Sequence, residues 1–307
     1  MSFRFEVDES LAGLRLDRAL AERLPSLSRA QLQRMIEAGA VEVSGQRVKP
    51  SHKLRAGEHV SGRVPEPVAA ERVLPEAIPL TVVFEDSDLI VIDKPPGLVV
   101  HPAAGHASGT LVNALLHHCG DSLSGIGGVL RPGIVHRLDK GTSGLIVAAK
   151  NDLAHHSLAA QFKCHSIDRE YLALVRGDVS VESGSIDAPI GRHPTDRKRF
   201  STRTRQGRHA VTHWQVERRL RDLTLLRVRL ETGRTHQIRV HLASAGLPVA
   251  GDPVYGGGRA VTRALGLERQ ALHATRLGFE HPRSGERLGF DSALPEDLAR
   301  VVADAAA

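Results

Sequence analysis

Residues 133–150 read Gly-Ile-Val-His-Arg-Leu-Asp-Lys-Gly-Thr-Ser-Gly-Leu-Ile-Val-Ala-Ala-Lys. Two apolar runs, Ile134-Val135 and Leu145 to Ala149, bracket a polar segment that contains Asp139. The runs are short, rich in β-branched residues and bounded by glycine, which predicts two buried strands. Gly141, Thr142, Ser143 and Gly144 carry turn and loop chemistry between them. The pattern therefore presents Asp139 on a loop held by strands, flanked by Arg137 and Lys140. A carboxylate among cations suits a nucleophile or a base. A turn aspartate with solvated charged neighbours fits the same residues. A phosphate-binding loop does not, because Leu138 and Asp139 stand where its glycine and lysine are required.

Outward from this stretch, a chain of 307 residues has room for two domains and a substantial core. No apolar run approaches a membrane span, and the chain does not open on a basic segment followed by an apolar one, so a cytoplasmic protein without a membrane partner is expected. Cys119 and Cys164 lack Cys-x-x-Cys spacing, which argues against a disulfide framework or a zinc knuckle. Of the seventeen histidines, His117-His118 and His155-His156 are adjacent pairs and His236 and His241 are five apart with no partnering carboxylate; ligand spacing is absent and no metal is expected. The net charge is +6, and residues 192–208 carry seven arginines and lysines against Asp196 alone, an excess equal to that of the whole chain. Such a segment fits a solvated loop, but clustered arginine is the usual electrostatic footprint of a nucleic-acid contact. Aromatic residues make up 3% of the chain, too few for base stacking on an aromatic platform to dominate binding.

Residues 14–62 read as a compact unit. Leu16, Ala19, Leu20 and Leu24 recur at helical spacing up to Pro25. Ser28 to Gln31 has the form of a capping box, and Leu32, Met35 and Ile36 continue one apolar face to Gly39. Val41 to Val43, Ser44-Gly45 and Arg47-Val48 then predict a small hairpin. Residues 65–79 hold Pro65, Pro67, Pro75 and Pro79, which predicts an extended linker. A new fold begins with strands at Leu80 to Phe84 and Leu89 to Ile92, separated by the turn cluster Glu85 to Asp88. Asn151 caps a helix running to about Phe162, and strands follow at 171–176, 211–219 and 223–230. Strands following one another with few helices between them predict an α+β fold with a largely antiparallel sheet. The alanine-rich C-terminus reads as frayed.

Three further blocks complete the pattern. Residues 93–102 read Asp-Lys-Pro-Pro-Gly-Leu-Val-Val-His-Pro, residues 169–177 Arg-Glu-Tyr-Leu-Ala-Leu-Val-Arg-Gly, and residues 231–241 Glu-Thr-Gly-Arg-Thr-His-Gln-Ile-Arg-Val-His. With His136-Arg137-Leu138-Asp139 they resemble, in order, the motifs of the RluA-type pseudouridine synthases, and the resemblance spans about residues 10–295. Within that family the chain is most similar to the enzymes of large-subunit ribosomal RNA. The two helices and hairpin, with Arg18, Arg29, Arg34 and Arg47 at polar positions, resemble an S4 RNA-binding domain. The organisation implied is an S4-like αβ domain at 1–64, a proline-rich linker at 65–79 and a catalytic domain at 80–307, in which helices flank the mixed sheet.

The resemblance implies isomerisation of uridine to pseudouridine: the glycosidic N–C bond breaks, the base turns over and a C–C bond forms. No redox step or net hydrolysis occurs, so no cofactor is expected. Asp139 is implied as the catalytic carboxylate, attacking the sugar or removing a sugar proton. Tyr171 is implied to stack under the uracil and relay a proton, with a core aromatic as its ordinary alternative. Arg239 is implied to hold Asp139 bidentately, at two points, where a surface helix arginine is the ordinary alternative. Arg137 would fill the gap left by the extruded uridine. RNA contacts fall to Arg18, Arg29, Arg34, Arg192, Arg197, Lys198, Arg199, Arg203 and Arg205. Lys94 to Gly97 reads as a turn at the pocket wall, and Phe200 as an apolar plug where close relatives tend to carry methionine. The implied partner is ribosomal RNA or the pre-ribosomal large subunit, bound by a monomer. A non-catalytic ribosome-assembly factor on the same fold would not need the Asp139, Tyr171 and Arg239 set. A glycoside hydrolase would want a second carboxylate, for which Asp93 and Asp252 are available.

Overall fold

A computed structural model describes residues 2–24, 27, 29–64, 73–102, 108–120, 123, 133–196, 199–204, 206–256 and 266–306, with the backbone alone at 29–31 and 34. The chain divides into two compact units, Met1–Glu71 and Arg72–Ala307. Among the described residues no helix is long and apolar enough to cross a membrane.

In the first unit the helices α1 (Leu16–Arg23) and α2 (Arg29–Glu37) accompany a four-stranded antiparallel sheet. Its strands are β1 (Ser2–Glu6), β2 (Val41–Val43), β3 (Gln46–Arg47) and β4 (His59–Arg63), in the order β1-β4-β2-β3. Leu16, Leu20, Leu32 and Ile36 form the helical apolar face and pack on Val41, Val43 and Val60. The expected hairpin is present, but β1 and β4 enlarge it into a sheet. Ser28 and Pro25, which bear on the helix ends, lie outside the described residues.

The second unit is built on a nine-stranded sheet: β5 (Thr81–Glu85), β6 (Leu89–Lys94), β7 (Ser143–Ala149), β8 (Asp168–Arg176), β9 (Ser183–Asp187), β12 (Val211–Leu220), β13 (Leu223–Leu230), β14 (Leu272–Glu280) and β15 (Arg287–Asp291). Strands β10 (Gly191–Arg192) and β11 (Phe200–Ser201) form a separate two-stranded ribbon. The order is β5-β6-β7-β14-β8-β13-β12-β9 with β15 beside β14, and every pairing is antiparallel except β7 with β14. The sheet is thus mixed and largely antiparallel, as expected. The helices are α3 (Leu111–Cys119), α4 (Asp152–Cys164), α5 (Gln237–Ser244) and α6 (Glu296–Ala306).

Alternation explains why β6 and β7 read as unbroken apolar runs. Ile90, Ile92, Ile146 and Ala148 meet Leu111 and Leu115 of α3, while Leu89, Val91, Leu145 and Val147 meet Ala154 and Leu158 of α4. Both faces are covered, so neither can be polar. Asn151 caps α4 by accepting the Ala154 N–H at 3.0 Å. The alanine-rich end does not fray within the described residues: Leu298, Val301 and Val302 lie at helical spacing and bury one face of α6, which continues to Ala306.

Ile134-Val135 corrects the sequence reading, since it forms no strand. β14 pairs with β7 only at Ser143 and Gly144, leaving a free edge beyond them. Ile134 makes a single bridge to Ala148, the Gly133 carbonyl accepts the Ala149 N–H, and the His136 Nε2 accepts the Val147 N–H at 3.0 Å. A side chain takes the place of strand pairing there, and the backbone is released to run toward Asp139.

Candidate active site

A loop, a strand and a helix start converge on one cavity of about 510 Å³. The loop entering β7 supplies Arg137 and Asp139, β8 supplies Tyr171, and the start of α5 supplies His236 and Arg239. Room beside Tyr171 comes from its neighbours in register: it pairs with Ala274, which pairs with Gly144. Residues opposite one another in a sheet share a face, so a small side chain and an absent one flank the phenol. Gly144 has a further constraint, since its φ is +107° and a Cβ would collide with the Ala274 backbone.

Asp139 is partly covered and accepts from Arg239 Nη1 at 2.9 Å through Oδ2. Its own carbonyl accepts the Thr142 N–H, which closes the loop behind it. Lys94 braces the same loop. It is fully buried, and its Nζ donates to the carbonyls of Pro95 and Leu98 and, at 3.5 Å, to that of Lys140. Burial pulls the Lys94 ammonium down to about 7. The Lys94-Pro95-Pro96-Gly97 turn therefore braces the segment next to Asp139 and, contrary to expectation, is not among the residues that line the cavity.

Arg239 is 4% exposed, which removes the surface-arginine reading. Its two-point grip, however, falls on Asp252 rather than on Asp139. Nε donates to Asp252 Oδ2 at 2.6 Å and Nη2 to Oδ1 at 2.9 Å, leaving Nη1 as its single donor to Asp139. Asp252 is fully buried and also accepts the N–H groups of Val254 and Tyr255. Burial raises the Asp252 carboxyl, but the Arg239 hydrogen bonds and charge outweigh it and hold the group below the ordinary carboxylate range. The result is a chain of charges, Asp252–Arg239–Asp139, whose inner end is fixed and whose outer end opens on the cavity.

Tyr171 is 7% exposed and lines the cavity, where burial pushes its phenol up, so it stays protonated at neutral pH. His136 stacks on Phe162 at 4.5 Å, and burial with the Arg169 charge lowers its imidazole to about 3. It is a neutral acceptor for β7. Arg169 also lines the cavity and bonds only the carbonyls of Leu230 and Glu231 among the described residues, so its charge faces no carboxylate partner there. Among the described lining residues Asp139 is the sole carboxylate. Asp93 lies elsewhere, bonded to Ser292, and Asp252 is spent on Arg239.

Of the expected RNA-contacting residues, Arg137 is exposed at the cavity and Arg18 is exposed on α1. Arg192 and Arg203 are exposed, Arg192 lies over the Phe200 ring, and Arg199 lies over the Tyr255 ring at 5.4 Å. Arg197, Lys198 and Arg205 lie outside the described residues, as do the side chains of Arg29 and Arg34. Asp252, which pairs with Arg239, and Tyr255, which bonds His236, lie outside the motif blocks. Tyr255 is the other of the chain's two tyrosines, and no motif block contains it.

Residues 88–244 match the RNA pseudouridylate synthase family, and residues 14–60 match the S4 domain. The chain is 50% identical over 288 residues to an uncharacterized RNA pseudouridine synthase of Bacillus subtilis, covering 94% of this chain and 93% of the relative. It is 49% identical to the ribosomal large subunit pseudouridine synthase D of Zymomonas mobilis, covering 94% and 93%. The solved structure of human RNA pseudouridylate synthase domain containing 1 superposes with a TM-score of 0.57 at 25% identity, covering 74% of this chain and 89% of that one. The chain belongs to the RNA pseudouridine synthase family. It is an isomerase that carries an S4 domain.

Proposed function

We propose that the protein converts specific uridines of large-subunit ribosomal RNA to pseudouridine, with Asp139 as the catalytic carboxylate acting on a flipped-out nucleotide. The observation that carries this reading is Asp139 at the cavity wall, held by Arg239 and sharing the cavity with Tyr171. The ribosomal substrate follows from the relatives named for it at 45–49% identity. A uridine stacked in RNA does not reach a cavity of this kind, so the nucleotide leaves its stack, and Arg137 at the cavity mouth fills the vacancy. The lone carboxylate supports transfer within one nucleotide over hydrolysis, which would want a second carboxylate to activate water.

In this reading Asp139 either attacks the glycosidic carbon or takes the neighbouring sugar proton, and Arg239 fixes its rotamer in both cases. Tyr171 lies against the uracil and, as a protonated phenol, relays a proton to or from the base as it turns over. Residues 1–64 grip RNA, 65–79 link, and 80–307 catalyse. Asp139→Asn tests the core of the proposal: shape is kept, and the group that attacks or takes the proton is gone. Carbodiimide mapping of ribosomal RNA incubated with the variant should show no new pseudouridine while RNA binding persists. Turnover within about tenfold of the unmodified enzyme, or ~1.4 kcal/mol in barrier, would refute it.

A further inference from the structure

His236 stands just before α5 with φ 57° and ψ 21°, in the left-handed region that residues bearing a Cβ enter only at a cost. That backbone sets its ring between two groups. Nδ1 lies 3.0 Å from the Tyr255 hydroxyl, and Nε2 lies 3.9 Å from Asp139 Oδ1, the carboxylate oxygen that Arg239 leaves free. The Tyr255 hydroxyl also accepts the Phe200 N–H at 2.9 Å. The Tyr255 N–H donates to Asp252, and the Arg239 guanidinium lies 5.2 Å over the Tyr255 ring. Tyr255 thus contacts His236, Arg239 and Asp252 together.

The hydrogen-bond inventory of these atoms favours one arrangement. If His236 carried its proton on Nδ1, the Nε2 lone pair would face a carboxylate oxygen, acceptor against acceptor. With the proton on Nε2, it points at Asp139, and Nδ1 becomes the acceptor for the Tyr255 hydroxyl. The hydroxyl oxygen keeps a lone pair for Phe200. We propose that Tyr255 is a positioning residue for the isomerisation: its hydroxyl holds His236 as the neutral Nε2–H tautomer, aimed at the free oxygen of Asp139. This rests on the reading of Asp139 as the reacting carboxylate.

Neutrality is the point of the arrangement. An imidazolium beside Asp139 would pair with the oxygen the reaction needs, whereas a neutral N–H orients it and yields when substrate arrives. Burial pulls the His236 imidazole below its ordinary range; Asp139 and Asp252 oppose this, and Arg239 and Arg137 reinforce it. Burial likewise keeps the Tyr255 phenol protonated and able to donate. Without the hydroxyl, Nδ1 is free to take a proton, and falling pH then converts His236 to the imidazolium.

The test uses the full chain labelled with ¹⁵N-histidine, and His236→Gln assigns the His236 signals. Side-chain nitrogen correlation spectra should show His236 as the neutral Nε2–H tautomer from about pH 8 to pH 6, and Tyr255→Phe should show mixed tautomers that protonate at a higher pH than the wild type. Single-turnover conversion of ribosomal RNA from cells lacking the enzyme should fall about tenfold in Tyr255→Phe near pH 6 and recover most of the loss near pH 8. RNA affinity should not change. A wild-type His236 that is charged, or protonated on Nδ1, overturns the proposal. So does a Tyr255→Phe profile parallel to that of the wild type, which is what loss of packing alone would give. An active Asp139→Asn enzyme would instead remove the catalytic premise and leave the tautomer result standing, so the two failures are separable.

Discussion

Arginine serves this protein in two opposite circumstances. Arg239 is buried, and its donors reach two carboxylates at 2.6 to 2.9 Å. Arg18, Arg137 and Arg203 are exposed and form no ion pair with a described residue. A buried guanidinium with its donors matched to carboxylates cannot drift, because any unpaired edge would carry the full desolvation penalty. An exposed one loses almost nothing by changing partners. In the proposed reading, the same side chain fixes carboxylates where it is buried and meets RNA through exchangeable contacts where it is exposed. In that reading geometry belongs to the first group and affinity to the second.

Breaking the buried group should have the largest effect. Arg239→Ala leaves Asp252 fully buried without its counter-charge, and loss of one partner of such a pair costs about 3–5 kcal/mol. Thermal denaturation should register that loss, and pseudouridine formation should vanish. Arg239→Lys should be nearly as inactive, because one ammonium cannot span two Asp252 oxygens and Asp139 together. Full activity in the lysine variant would mean that charge alone matters. The pair also sets a pH dependence. Asp252 sits below its ordinary range in the folded protein, so its contribution is complete above about pH 4 and is lost as pH falls through the folded value. Asp252→Asn should flatten the acid limb of the stability curve in that window.

The same division governs what the sequence disclosed. Elements with a marked local pattern were legible: β7 and β6 as apolar runs, α4 from its Asn151 cap, β13 from its alternation. Asp139 stood out because a polar group interrupts an apolar setting, and Tyr171 through the motif that contains it. Arg239 was found through its motif, but its bond to Asp252 was not, since that pair spans a helix and a turn whose approach only tertiary packing creates. Ile134-Val135 failed as a strand for a related reason. Its composition is right, yet the edge it would pair with is taken by a histidine nitrogen and a glycine carbonyl. Strand β1 was passed over because its alternation packs only one partly buried face, Phe3 and Phe5, against the small core.

Tyr171→Phe sharpens the contrast inside the cavity. The ring, its packing and its contact with a base are retained, and only the proton-bearing oxygen goes. Binding should be unchanged and single-turnover conversion should drop by about a hundredfold, the lower range for loss of a general acid or base. A variant that turns over normally would make Tyr171 a packing residue of the pocket wall.

The smallest effect should come from the exposed group, and it should appear in the salt dependence before it appears in the rate. Each phosphate neutralised by an arginine releases condensed counterions, so log affinity falls with log salt at about 0.7 per contact on single-stranded RNA. Arg203 and Arg208 are exposed and lie away from the Tyr255 contact that Arg199 makes. Replacing both with alanine should flatten the slope by about 1.4 if each meets a phosphate. Conversion at saturating RNA should stay near that of the unmodified enzyme, because Asp139, Arg239 and Asp252 are untouched. The slope is the decisive reading. If it is unchanged, these arginines are a solvated surface and the grip lies elsewhere. If the slope flattens and the saturated rate falls with it, the outer arginines also set geometry, and the division between the two groups does not hold.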